Sequence, residues 1–78
     1  MLERIYHPTI DTSNALNAVA DPDCTRKDMA VFYADLLRCH ALYPGQIDWP
    51  AINNAILKRW PRGLEYIKSL AWKEVSQR

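Results

Sequence analysis

The stretch IDWPAINNAILKRWPRGLEYIKSLAWK, residues 47–73, decides the fold. Apolar side chains recur on both sides of its Pro-Arg-Gly break. Trp49, Ile52, Ile56 and Trp60 precede the break, and Leu64, Ile67, Ala71 and Val75 follow it, with Leu70 beside them. Steps of three and four residues put each set on one side of a helix. Asp48 is an N-cap type, and Pro50 is tolerated in a first turn because its missing N–H has no intrahelical partner there. Ile47 can staple onto Ile52. Pro61 and Gly63 stop the third helix, and the fourth runs over residues 64–77. A helix, a turn with Gly and a second helix form the outline of a helix-turn-helix, which plain helical hairpins share.

Upstream of this stretch, residues 26–42 form the longest helix, with Thr25 as N-cap and Asp28 completing a capping box in place of the usual Glu. Met29, Phe32, Leu36, Cys39 and Tyr43 form one apolar stripe, and Tyr33, Leu37 and His40 form a second beside it. Such a helix is packed on two sides or lends one face to a partner. Tyr43-Pro44-Gly45 ends it. A short helix over residues 13–20 precedes it, capped by Asp11, Thr12 or Ser13 and closed by Asp21-Pro22-Asp23. Residues 1–10 contain Pro8 and lack a helical period, so they read as an extended arm with Leu2, Ile5, Tyr6 and Ile10 available to lie on the body. The expectation is one all-α domain over residues 1–78. It is a small bundle of four helices, the first short, with a C-terminal helix-turn-helix-like hairpin and an extended N-terminal arm.

A chain of this length buries only ~60% of the surface its unfolded form exposes, so its core is small. Its three Trp and four Tyr build such a core economically and also suit interfaces. Cys24 and Cys39 are not a C-x-x-C pair, and with His7 and His40 they do not supply a zinc spacing, so no metal or other cofactor is expected. One disulfide remains open, but the absence of a signal-peptide pattern favours a reduced, cytoplasmic protein. No apolar run approaches the ~20 residues of a membrane span.

Catalysis finds little support. His7 and His40 are isolated, and no Ser, Cys or Asp stands at a spacing that marks a nucleophile and its base. Asp21, Asp23 and Asp28 lack the ligand spacing and closing Glu of a calcium loop. Two glycines, Gly45 and Gly63, cannot make a glycine-rich phosphate loop. The expectation is a protein that is not an enzyme.

Charge is distributed unevenly. Residues 1–48 carry a balance of −3 and residues 49–78 one of +4. This asymmetry suits an anionic partner for the C-terminal half, or attraction between the halves within one fold or across a homodimer. The candidate surface is the basic and aromatic face around the turn: Lys58, Arg59, Arg62, Lys68, Ser69, Trp72 and Lys73. In a nucleic-acid reading, Arg62, Glu65, Lys68 and Ser69 reach base edges while Lys58, Arg59 and Lys73 bind phosphates. In a protein-binding reading, Trp72 is the anchor, and Leu42, Leu57 and Tyr66 also lie off the apolar stripes. The leading expectation is a regulator or inhibitor that binds a macromolecular partner, protein before nucleic acid.

Overall fold

Proline 8 begins a helix where the sequence suggests an extended arm. The computed structural model describes residues 5–77, which form α1 (Pro8–Ala20), α2 (Arg26–Leu42), α3 (Trp49–Arg59) and α4 (Leu64–Ser76). Pro8 occupies the first helical position, where its preset φ is already helical. Asp11, expected as a cap, is buried inside the first helix. Its carboxylate accepts the His7 N–H at 2.9 Å, which satisfies a donor at the helix start. The first helix therefore begins at residue 8 and not 13, and only residues 5–7 of the expected arm are non-helical among those described. Tyr6 packs against the core while Ile5 is exposed, and the expectation for Leu2 falls outside the described residues.

The starts of α2 and α3 follow their local signals. Thr25 Oγ1 accepts from the Asp28 N–H at 3.1 Å, and Asp28 accepts from the Thr25 N–H at 3.2 Å, a complete capping box. Asp48 accepts from the Ala51 N–H at 3.2 Å, and Ile47 is buried beneath the start of α3.

Helix α2 is the central element and buries Met29, Ala30, Tyr33, Ala34, Leu36 and Cys39. Helices α1 and α4 each pack along it. The short loop at residues 21–25 makes α1 antiparallel to α2. Helix α4 runs parallel to α2. The Arg26 guanidinium lies over the Tyr66 ring at 5.1 Å near the start of both helices, and Arg38 donates to the Glu74 carbonyl at 3.2 Å near their ends. Helix α3 returns antiparallel to α2, packing mainly on α1, with Ile52 and Ile56 fully buried. It meets α4 only sparingly, so the two C-terminal helices diverge from their turn and each leans on a different neighbour. No helix of the described residues is long and apolar enough to cross a membrane.

One side chain ties the loops together. Arg59, at the end of α3, donates to the carbonyls of Val19 (2.7 Å), Asp21 (2.6 Å), Pro22 (3.1 Å) and Cys24 (2.9 Å). These oxygens terminate α1 and form the α1–α2 loop, where a cation also meets the negative end of a helix dipole. The same guanidinium sits over the Trp60 ring at 4.6 Å. Beyond it, Gly63 has an ordinary negative φ but no room. A Cβ there would stand 2.7 Å from Trp60 Cβ and 3.1 Å from Arg26 Cδ. Gly45 is the reverse case, with open space around it and a φ of +81° that suits glycine.

Two predictions follow from this geometry. Arg59→Ala should cost about 2 kcal/mol in urea denaturation, the scale of hydrogen bonds to a charged group, and Arg59→Lys should recover less than half because an ammonium cannot reproduce the planar fork. A cost within error of zero would mean that the loop holds itself. Gly63→Ala should cost about 2 kcal/mol through overpacking, and Gly45→Ala about 1 kcal/mol through backbone strain alone. Equal costs in the same denaturation series would contradict the distinction between crowding and φ.

Candidate functional site

The seven candidate residues do not form one face. Lys58 borders a shallow hollow on the outside of α3 with Ala51, Asn54, Ala55 and Leu57. Arg59 is occupied by its four carbonyls. Arg62 lies at the corner formed by Arg26, Trp60, Pro61 and Gly63. Lys68 pairs with Glu65 at 3.8 Å on the exposed side of α4, where Ser69 is also exposed. Lys73 stands on the other flank of α4 beside Lys27, Val31 and Glu74. Trp72, 53% exposed, belongs to a third place.

That place is a hollow of about 640 Å³ where α2, α3 and α4 meet, lined by Leu37, Arg38, His40, Ala41, Trp49, Trp72 and Val75. Its floor is set by Trp49. The Trp49 ring lies 5.2 Å from Tyr33 and 5.8 Å from His40, meeting the latter edge-on at 71°. Such tilted and edge-to-face pairs fix ring orientation as well as burying area. Tyr33 is further held by its hydroxyl, which donates to Asn53 Oδ1 at 3.0 Å. Burial pushes the Tyr33 hydroxyl above its usual pKa, although the Asn53 bond acts in the opposite direction. His40 Nδ1 is buried and meets no hydrogen-bond partner among the described residues. Arg38 closes the rim, bonded to Asp35 at 3.3 Å and to the Glu74 carbonyl.

The hollow is apolar, half-open and walled by two tryptophans. Sequence reasoning placed Trp72 on the outside and identified Leu42, Leu57 and Tyr66 as exposed, and all four are exposed. It did not assemble Leu37, His40 and Trp49 around Trp72, because the parallel course of α4 along α2 leaves no trace in helical periodicity.

The second candidate place is the corner around Arg62. Arg26 and Arg62 are both exposed there, beside the Trp60 and Tyr66 rings, and α4 starts without a side-chain cap. Its charge suits an anion, but Arg59 is already occupied.

Cys24 and Cys39 are both free and buried. Burial, with Asp28 and Asp21 nearby, pushes the Cys24 thiol up, against the opposing influence of Arg59. No group of three or more His, Cys, Asp or Glu among the described residues is placed to hold a metal ion. Comparison with protein-family models, with curated proteins and with solved structures finds no match for this chain.

The two tryptophans of the hollow should respond differently to truncation. Trp49→Ala should cost about 3 kcal/mol, as for removal of a packed aromatic. Trp72→Ala should stay within about 0.5 kcal/mol at protein concentrations where the chain is monomeric, as for an exposed position. Urea denaturation followed by far-UV circular dichroism separates them, and a large loss for Trp72→Ala would place that ring in the core.

Proposed function

We propose that this chain is a small, non-catalytic, cytoplasmic binding protein that regulates or inhibits a protein partner by contact through its C-terminal helices. The observation that carries this reading is Trp72, more than half exposed on the wall of an apolar hollow. Exposing a large ring is unfavourable in isolation, whereas burying it against a partner makes it an anchor. Two tryptophans and an arginine around a recess also match the composition of binding hot spots.

The second reading is nucleic-acid contact at the corner of Arg26, Arg62, Trp60 and Tyr66, favoured by guanidinium groups and rings grouped beside the start of α4. Phosphate binding by such a corner depends strongly on salt, whereas an apolar hollow does not. Lys58, Lys68, Ser69 and Lys73 are peripheral to both places. The charges of the three lysines act on encounter rate more than on lifetime.

The two readings predict different variants. Labelled single- and double-stranded DNA and RNA, measured by anisotropy at two salt concentrations, should show no salt-sensitive binding at micromolar protein. Affinity capture should retrieve a protein that Trp72→Ala loses, while Arg62→Ala and Lys68→Ala alter mainly the association rate. Salt-sensitive nucleic-acid binding abolished by Arg62→Ala would replace the first reading with the second. Equal binding by wild type and all three variants would remove α4 and its turn from the function.

A further inference from the structure

Exposed apolar side chains are concentrated at one end of the bundle. With α1 and α3 antiparallel to α2, and α4 parallel to it, that end gathers the starts of α1 and α3 and the ends of α2 and α4. Five of the eight large apolar side chains exposed among the described residues lie there: Ile5 (88%), Ile10 (58%), Leu42 (62%), Tyr43 (40%) and Trp72. The hollow between α2, α3 and α4 lies at the same end. The opposite end carries Arg26, Lys27, Lys58, Arg59 and Arg62 with Asp21, Asp23, Asp28 and Glu65. Asp48, Lys73 and Glu74 are also exposed at the first end, so its apolar side chains are flanked by charge.

The apolar area is large for so small a chain. At roughly 200 Å² for a large side chain, the five exposures amount to roughly 600 Å², more than a tenth of the 5505 Å² surface. The exposures are spread over the N-terminal segment, α1, the end of α2 with Tyr43, and α4. With the half-buried walls Leu37, Trp49 and Val75 their area approaches the ~800 Å² that each partner contributes to a standard specific interface.

We propose that this end is the contact between two copies of the chain, paired about a two-fold axis. The proposal rests on the protein-contact reading above and names its partner. A two-fold contact requires a single patch that carries both projections and a recess, since the same surface serves on both sides. Leu42 projects immediately after Ala41, which lines the hollow, and Trp72 stands on the hollow's wall. Arg38 at the rim is already paired with Asp35, so it does not face the second copy as an unpaired charge. Burying the apolar end also offsets the small core of a chain this short.

Sedimentation velocity from low micromolar to millimolar protein tests this directly. Wild type should show a concentration-dependent dimer. Leu42→Asp and Trp72→Ala should each weaken it by at least about tenfold, and Arg62→Ala, at the opposite end, should leave it unchanged. Circular dichroism of each variant confirms that it is folded. A wild type that stays monomeric at millimolar concentration, or a dimer that survives both variants, overturns the second copy. The fluorescent apolar dye ANS then separates the two readings. A monomer that binds ANS in wild type and not in Trp72→Ala loses the second copy and keeps the protein-contact surface. A monomer that does not bind ANS loses both.

Discussion

Four backbone carbonyls between Val19 and Cys24 converge on the guanidinium of Arg59, and the course of the chain on either side depends on that meeting. The last carbonyls of a helix have no intrahelical partner, and a loop of residues 21–25 adds more. Left to water they would let the α1–α2 connection move freely. The planar cation satisfies them together and sits where the dipole of α1 is negative. Since Arg59 is the last residue of α3, the same bonds tie α3 to the end of α1. Trp60 then stacks beneath the guanidinium, and Gly63 packs against Trp60 and Arg26 at the entry to α4. All four helices have an end at this charged node.

What could be read from the sequence was what is local. The capping box of Thr25 and Asp28, the cap at Asp48 and the stops at Tyr43-Pro44-Gly45 and Pro61-Arg62-Gly63 involve neighbours within a few residues, and each lies where the pattern put it. Apolar periodicity also separated Ile52, Ile56, Ile67 and Ala71 from Trp72 and Tyr66, because the phase of a helix follows from its own residues. The start of α1 was misread for a local reason as well. Pro8 signals a break and a first helical position equally, and Asp11 can cap from within a helix by reaching back.

What could not be read was what is distant. Arg59 looked like a phosphate-binding residue, yet its partners lie 35 to 40 positions earlier in the chain. Asn53 on α3 accepts from Tyr33 on another helix, 20 positions earlier, a pairing that helical periodicity does not record. The hollow takes residues from three helices, and its existence depends on α4 running parallel to α2. Charge counting identified a basic C-terminal half, but the fold distributes that charge among separate hollows and one internal clamp. A net balance records which side chains are present and not which are free to act.

The parallel course of α4 along α2 also bears on the order in which the bundle can be built. Helices α1 and α2 meet across a five-residue connection, so their pairing requires little chain closure. Arg38 and Glu74 are 36 positions apart, and α4 reaches α2 only after α3 has carried the chain back along the bundle. Closure entropy grows with the logarithm of loop length, which makes the α2–α4 pairing about 1.5–2 kcal/mol costlier to initiate than the α1–α2 hairpin. The wall of the hollow that carries Trp72 is therefore the late-forming part of the structure. A chain arrested before that step would have a folded α1–α2 hairpin and the inward face of α2 uncovered. That face includes Ala30, which borders Leu70 and Lys73 of α4, and uncovered apolar surface of this kind is what makes partly folded chains adhesive.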